Sequence, residues 1–292
     1  MTVGDKPLVS VIMNCYNGEE FLSEAINSVL AQTYDNWELI FWDNLSSDKS
    51  KEIFSYFKDY RLKYKLSDKH TNLSEARIKA INASQGDLIA FLDVDDLWKE
   101  DKLEKQVSLF DDQTIIFSCT SVKVIYENSF KKRNINPPNK INGYIFNELL
   151  ENYFVVLSSL IVRRSAYFSI GGFEKKYHII GDFDLVTKLA SNSRCGICHE
   201  YLTLNRKHSK NESLIKSSIH TKELLDWKSN NAYLLGKANL ISQKKIIKNI
   251  DFSCILNDIS NKNITYQTFL MCLDQSPKNI LKIVYKYFSS FI

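Results

Sequence analysis

Three carboxylates stand within four residues near the middle of the chain, in the run Asp93-Val94-Asp95-Asp96. They directly follow residues 88–92 (LIAFL), a short apolar run that is typical of a buried strand. Like charges this close repel one another unless a cation lies among them, and carboxylate oxygens are ligands that Mg²⁺ or Mn²⁺ prefers. The plainer alternative is that Asp95 or Asp96 caps a helix that begins near Leu97. The position at a strand end keeps the metal site and the helix cap both open.

The elements that must position this cluster are visible as apolar periodicity. Buried strands are predicted at residues 8–13 (LVSVIM), 38–42 (ELIFW), 88–92 and 114–119. Helices are predicted at residues 19–32, 49–58, 73–85 and 97–110, with Gly86 as the C-cap of the third. Strands that alternate with helices predict an α/β fold with a mostly parallel sheet. Such sheets bind ligands at the carboxyl ends of their strands, so the polar residues that follow each strand are expected to face one crevice.

Charge and composition exclude several classes of protein. The net charge is only +4, which is too small to indicate a nucleic-acid binder. It is unevenly spread, because residues 215–292 hold 11 lysines against 5 acidic residues, a net +6, and the preceding residues carry −2. No run of about 18 apolar residues is present, the first residues do not resemble a signal peptide, and the 6 cysteines are scattered. We therefore expect a cytoplasmic protein.

Three segments resemble successive parts of the family 2 glycosyltransferases, which have the GT-A fold. Residues 9–48 resemble the opening of that family, residues 72–98 the segment that leads to its D-x-D metal motif, and residues 170–190 the segment with its catalytic base. The resemblance implies a Rossmann-like, mostly parallel sheet flanked by helices over residues 1–214, with a donor half at about 1–120 and an acceptor half at about 121–214. Residues 215–292 are predicted as a helical C-terminal extension.

The resemblance also implies an activity, namely inverting transfer of a hexose or N-acetylhexosamine from a nucleotide-sugar, with UDP as the expected nucleotide. The acceptor is expected to be a hydroxyl of a glycan, free or lipid-linked, in bacterial surface polysaccharide or lipopolysaccharide synthesis. Asp182 is the expected catalytic base, Asp95 and His208 are the expected ligands of Mn²⁺ or Mg²⁺, and Asp184 is expected to be structural. The expected donor-binding residues are Asn14, Tyr16, Asn17, Glu19, Asp43, Asn44, Arg77, Asp93 and Val94.

This chain departs from the family pattern at several positions. Asn44 stands where a second aspartate is usual, and its side-chain oxygen is expected to accept a hydrogen bond from the base instead. Gly181 replaces a glutamate before the base, and Ile78 replaces an asparagine. Asn72 replaces a glycine and is expected to tolerate a left-handed backbone. Asp96 is expected to cap the next helix.

The last residues, 278–292 (KNILKIVYKYFSSFI), place lysines on one side of a helix and apolar residues on the other. This pattern is typical of an interfacial helix on an anionic membrane, which would put the protein at the inner face of the plasma membrane. A terminal helix that packs on its own domain or on a second subunit is the alternative.

Two other classes of protein remain open. A phosphohydrolase of the haloacid dehalogenase type also has D-x-D after an apolar strand, with Asp93 as its nucleophile and Asp95 beside it. A non-catalytic protein that binds a nucleotide-sugar is the second class. The run Cys195-Gly-Ile-Cys198-His199 matches a haem attachment pattern, but we interpret it as core packing in a strand.

Overall fold

A computed structural model describes residues 6–127, 129–139 and 142–289. Their strands are β1 (Val9–Cys15), β2 (Trp37–Asp43), β3 (Leu62–Leu66), β4 (Leu88–Phe91), β5 (Leu97–Trp98), β6 (Ile115–Tyr126), β7 (Ser129–Ile135), β8 (Asn142–Gly143), β9 (Ile161–Arg163) and β10 (Arg194–Lys207). Their helices are α1 (Leu22–Leu30), α2 (Ser50–Tyr56), α3 (Leu73–Asn82), α4 (Lys102–Ser108), α5 (Phe146–Glu151), α6 (Arg164–Ser169), α7 (Gly181–Ala190), α8 (Glu212–Ile215), α9 (Ser217–Asn230), α10 (Ala232–Leu235), α11 (Leu240–Ser260), α12 (Tyr266–Leu273) and α13 (Pro277–Ser289). Contacts divide the chain into two units, Met1–Ile145 with Phe154–Ser209, and Phe146–Tyr153 with Lys210–Ile292. The domain boundary expected after residue 214 stays a prediction.

The first unit is built on one sheet with the order β3-β2-β1-β4-β9-β6-β10-β5. The first four strands are parallel, β9 runs antiparallel to both β4 and β6, and β6 and β10 are parallel. The predicted α/β fold is therefore confirmed. The sheet is mixed, and its parallel part carries the strand ends that matter for function.

Apolar side chains hold α1 against this parallel part. Leu22, Ile26 and Val29 lie three to four residues apart on one face of α1 and are fully buried, in one cluster with Val11 and Leu39 of the sheet. Burial of each large apolar side chain contributes about 1.5–3 kcal/mol. This packing makes the carboxyl ends of β1 and β2 a rigid support for the loops that follow them.

Gly86 has a different role from the predicted helix cap, because α3 already ends with Ala83 as its C-cap. A Cβ at residue 86 would lie 2.6 Å from the carbonyl oxygen of Leu8 and from the amide nitrogen of Ser10. Residue 86 must be glycine because the chain passes directly over the start of β1. Close approach of two backbone segments leaves no signal in the periodicity of a sequence.

Three other expectations about local structure were wrong. Residues 97–98 form strand β5 and pair with β10, so the helix expected from residue 97 begins only at Lys102. Strand β3 was missed, since its LKYKL sequence is half polar at the edge of the sheet. Asn72 is not left-handed: its φ is −68°, and its side chain accepts a hydrogen bond from the backbone N–H of Glu75 as the N-cap of α3.

The second unit is helical, in agreement with the expectation for the C-terminal region. Its apolar core includes Ile255 and Ile259 of α11 and Ile283 of α13. Most other apolar side chains of α13 remain exposed, and Leu281 and Tyr285 are 71% and 77% exposed. Within the described residues, no helix is both long and apolar enough to cross a lipid bilayer. The last part of the predicted amphipathic segment, residues 290–292, lies outside the described residues.

Candidate active site

The three carboxylates after β4 come together as a cluster. Oxygens of Asp93, Asp95 and Asp96 all lie within 4.8 Å of one another. The turn that gathers them is closed by a hydrogen bond from the Asp96 N–H to the Asp93 carbonyl oxygen, at 3.0 Å. Burial, and next the charge of Asp93, raise the pKa of Asp95. A cation among these oxygens would remove that repulsion, so the donor set fits a hard divalent metal.

Asp96 does not cap a helix, contrary to the expectation from the sequence. Its side chain is buried and accepts hydrogen bonds from the Ser158 hydroxyl at 2.5 Å, from the Asn205 amide at 2.9 Å and from the Arg206 backbone N–H at 2.9 Å. Burial, then the charges of Asp95 and Asp93, raise its pKa to about 8. Asp96 therefore joins the end of β4 to β10 and leaves Asp93 and Asp95 to face a ligand.

His208 lies against Asp95, with its Nε2 3.0 Å from the Asp95 Oδ2. Its side chain is nearly buried, and its ring is 5.0 Å from the ring of Phe21. The neighbouring Arg206 guanidinium donates to the backbone carbonyl oxygen of Asp95 at 3.1 Å. The end of β10 thus brings an imidazole to the acidic cluster, where it could share a metal with Asp95.

Arg77 pairs with Asp93, and its charge also acts on Asp182. Its guanidinium donates to the Asp93 Oδ1 at 3.0 Å, and it lies 5.7 Å from the centre of the Phe173 ring. Only 6% of the Arg77 side chain is exposed, against 39% for Asp93. Burial raises the pKa of Asp182, and the Arg77 charge opposes that shift. A cation held on α3 therefore lies beside both the metal cluster and the expected base.

Asp182 occupies the second position of α7, whose N-cap is Ile180. Asp184 is fully buried and pairs with Lys188 at 2.8 Å, which is the structural role expected for it. The two aspartates of one helical turn thus have separate environments. Asp182 lies near Arg77, while Asp184 is neutralised inside its own helix.

The packing around Gly181 explains why the usual glutamate is absent. A Cβ at this position would come closer than 3.0 Å to the Ser74 hydroxyl, and would touch the Phe173 ring at 3.4 Å. Ser74 is completely buried on α3, one turn before Arg77. Glycine at residue 181 therefore allows the start of α7, with Asp182, to lie directly on the helix that carries Arg77.

The residues expected to hold the nucleobase surround an exposed aromatic ring. Tyr16, 52% exposed, follows β1, and its ring centre is 4.2 Å from that of His70. Asn44 is buried, and both ends of its amide bond Thr71. His70 was missed by sequence reasoning. It follows β3, so the signal was available only once that strand was recognised.

Three other expected donor residues hold the loops after β1 and β2. The Asn17 side-chain oxygen accepts from the Ser47 N–H at 2.8 Å, and Glu19 accepts from the Lys49 N–H at 2.9 Å. Asp43 is buried and accepts from the Ser46 N–H at 2.7 Å; it also accepts from a tyrosine hydroxyl, that of Tyr64, at 2.6 Å. These bonds support the rim of the crevice.

Asn14 and Val94 lie deeper. The Asn14 amide nitrogen is buried and makes no hydrogen bond to any residue that the structure describes. Val94 is partly buried against the core, and a Cβ at Gly18 would come within 2.9 Å of it. Gly18 therefore lets the loop after β1 approach the acidic cluster closely.

Comparison with known proteins identifies the family of this chain. Residues 10–171 match the sequence model described as glycosyl transferase family 2. The Escherichia coli protein named UDP-Glc:alpha-D-GlcNAc-diphosphoundecaprenol beta-1,3-glucosyltransferase WfgD is 34% identical over 200 residues, which cover 68% of this chain and 78% of that protein.

Two solved structures share the fold at low sequence identity. Staphylococcus aureus TarS 1-349 in complex with UDP-GlcNAc gives a TM-score of 0.62 at 15% identity, over 97% of this chain and 90% of that chain. Mannosyltransferase PcManGT from Pyrobaculum calidifontis, in complex with GDP-Man and Mn²⁺, gives 0.61 at 14% identity, over 98% and 86% of the two chains.

The mixed sheet flanked by helices has the GT-A fold of glycosyltransferase structures. Within that class, the chain belongs to glycosyl transferase family 2. The resemblance stated from the sequence is confirmed. Membership in this family supports an enzyme that transfers a sugar, rather than a phosphohydrolase or a non-catalytic binding protein.

Proposed function

We propose that this enzyme transfers the sugar of a UDP-sugar to a hydroxyl of a glycan, with inversion at the anomeric carbon. One observation carries the proposal: Arg77 of α3 pairs with Asp93 of the acidic cluster, and the start of α7, with Asp182, packs on the same helix through Gly181 and Ser74. The acceptor oxygen bonds to the anomeric carbon while the bond to the diphosphate oxygen breaks. Asp182 takes the hydroxyl proton. A single base opposite the leaving group implies direct displacement.

The side chains of this chain have distinct parts in that reaction. Arg77 offers a planar guanidinium to the diphosphate, and its partner Asp93 keeps it in place until the donor binds. We assign the metal to Asp95 and His208, whose donor atoms already meet at 3.0 Å. Mn²⁺ or Mg²⁺ there would offset the charge of the departing nucleotide. Burial of Asp182 raises its pKa toward the range in which a carboxylate is an effective base.

The names of the relatives support the choice of donor and acceptor. The E. coli relative is named for a UDP-glucose donor and for an acceptor on diphosphoundecaprenol, and the S. aureus structure holds UDP-GlcNAc. The P. calidifontis structure holds GDP-Man and Mn²⁺, which supports a metal but a different base. We therefore propose a lipid-linked glycan as acceptor, in the synthesis of a bacterial surface polysaccharide.

A lipid-linked acceptor requires the enzyme to reach a membrane, and α13 offers a surface for this. Ile283 faces the core, whereas Leu281 and Tyr285 on the opposite side of the helix are 71% and 77% exposed, and Val284 between them and the core is 44% exposed. A basic stripe borders these exposed apolar residues, with Lys278, Lys282 and Lys286 at intervals of four residues. We propose that the exposed apolar residues enter the headgroup region of an anionic membrane at the cytoplasmic face while the lysines stay among the headgroups.

Nucleotide binding tests the catalytic proposal. Unfolding temperatures are measured with UDP, GDP, CDP and dTDP, each with and without Mn²⁺. We expect UDP to raise the unfolding temperature most, and only with the metal. Asp95→Asn should remove the metal dependence, whereas the exposed-site control Asp68→Asn should not. No shift with any nucleotide would contradict the proposed function.

Vesicle sedimentation tests the membrane contact. Wild-type protein should pellet with vesicles that contain an anionic lipid and much less with neutral vesicles. Leu281→Asp should reduce pelleting, while Leu225→Asp, at an exposed position of α9, should not. Equal pelleting of the wild type and the Leu281 variant would show that α13 is not the contact.

A further inference from the structure

The end of β2 lacks a free carboxylate to read the donor base. Asn44 donates from Nδ2 to the Thr71 carbonyl oxygen at 2.8 Å, and its Oδ1 accepts from the Thr71 N–H at 3.2 Å and hydroxyl at 3.1 Å. Asp43 is bonded to Tyr64 and Ser46 through its two oxygens. Both side chains are buried. The expected role of Asn44 as the acceptor for the base is therefore not available to it in this arrangement.

His70 lies next to Asn44, and the side chains of Asn44 and Asp43 are already fixed by hydrogen bonds. It is exposed, its ring contacts the Tyr16 ring, and its Nδ1 lies 3.0 Å from the backbone carbonyl oxygen of Asn44. A carbonyl oxygen only accepts, so the proton of the neutral ring is on Nδ1. The longer approach of the Asn44 amide to the same nitrogen, at 3.4 Å, does not compete, because that amide already donates to Thr71. With its proton on Nδ1, the His70 ring has an acceptor lone pair on Nε2.

We infer that His70 determines which nucleobase the donor site accepts, by receiving the imide N–H of uracil on its Nε2 while the base lies on Tyr16. Uracil presents one N–H donor between two carbonyl acceptors. Cytosine presents a ring nitrogen acceptor at the same place, which would face another acceptor and lose the hydrogen bond. An aromatic ring such as Tyr16 can stack on any base, so it contributes affinity without base preference. The preference for uracil over cytosine then comes from His70.

This inference rests on the proposed function, because it takes a UDP-sugar as the donor. The proposed function needs only that a nucleotide bind beside Asp95 and Arg77. The inference about His70 goes further, because it makes the preference for uracil a property of that one side chain. The two can therefore fail separately.

Calorimetric binding of UDP and CDP to the full chain, with Mn²⁺, tests the assignment. His70→Phe keeps an aromatic ring against Tyr16 but removes the acceptor. It should weaken UDP binding by about tenfold, the change that corresponds to one lost hydrogen bond. CDP binding should change less, so that the preference for UDP falls. His70→Gln retains an acceptor and should keep most of the preference, and the neighbouring control Lys69→Ala should keep all of it.

Three outcomes would overturn the inference or its basis. An unchanged ratio of UDP to CDP affinity in His70→Phe refutes the role of His70, while the proposed function stands. A wild-type preference for GDP or CDP refutes the choice of uracil and with it the inference. No nucleotide binding by the wild type refutes the proposed function itself. Circular dichroism of each variant confirms that this exposed substitution leaves the fold intact.

Discussion

Substitution of Gly181 by alanine tests how the start of α7 packs against α3. The new methyl group would overlap the buried Ser74 hydroxyl, and it would also touch the Phe173 ring. Overpacking of this kind costs about 1–3 kcal/mol. Alanine in place of glycine in a helix stabilises the folded state by about 0.5–1 kcal/mol, which offsets part of that cost. We therefore expect Gly181→Ala to lower the free energy of unfolding by about 1–2 kcal/mol.

A second substitution separates overlap from other causes. The Ser74 hydroxyl makes no hydrogen bond to any described residue, so Ser74→Ala removes a buried polar atom that is not satisfied. Removal of such a group contributes about 1 kcal/mol or more to stability. In the Ser74→Ala background the methyl group at residue 181 has space. The double variant should then be at least as stable as Ser74→Ala alone.

Urea unfolding of the wild type, the two single variants and the double variant completes the cycle. The coupling energy should be about 1–3 kcal/mol in favour of the double variant. Turnover should follow the same pattern, because displacement of α7 moves Asp182, and the second substitution should restore it. A Gly181→Ala protein with the wild-type urea midpoint, or a double variant as unstable as that single variant, would refute the reasoning.

Three further outcomes are expected. Gly86→Ala should lower the free energy of unfolding by about 3 kcal/mol, more than Gly181→Ala, because its methyl group meets backbone atoms of Leu8 and Ser10 in addition to the Ser10 hydroxyl; equal urea midpoints for the two variants would contradict this. Burial lowers the pKa of Lys102 well below its usual range, and its amine makes no hydrogen bond to the described residues. The folded state therefore binds fewer protons than the unfolded state, and wild-type stability should rise with pH by up to about 1.4 kcal/mol per unit below the usual lysine pKa. Lys102→Met should accordingly be more stable at neutral pH by thermal unfolding, with an advantage that shrinks as the pH rises. Asp182→Asn should abolish transfer and leave the dissociation constant for UDP nearly unchanged, and the wild-type kcat should fall as the pH drops through the raised pKa of Asp182; loss of UDP binding in this variant would argue against a role as base alone.

The parts of the fold that were predicted correctly are those with a strong local pattern. Strands β1, β2 and β4 are mostly apolar, buried on both faces and followed by polar residues, so their carboxyl ends could be located within one or two positions. The acidic cluster follows from β4 directly. Its chemistry depends on residue types that are adjacent in the chain, which is why it was visible without a structure.

The features that sequence reasoning missed all depend on partners that are distant in the chain. Strand β5 is two residues long and exists because β10 pairs with it. Gly86 is required by the start of β1, and Gly181 by a serine on α3. His70 becomes visible only when β3 is recognised as a strand. In each case a tertiary contact overrides the local preference of the segment, and no window of neighbouring residues contains that information.

The contact between Asp95 and His208 joins positions 113 residues apart, and the Asp96 bonds to β10 span nearly as many. A nascent chain therefore carries all three aspartates long before it carries the imidazole and the strand that complete their surroundings. The metal site proposed for Asp95 and His208 can therefore form only after β10 has left the ribosome, so metal binding there would report that β10 has joined the sheet.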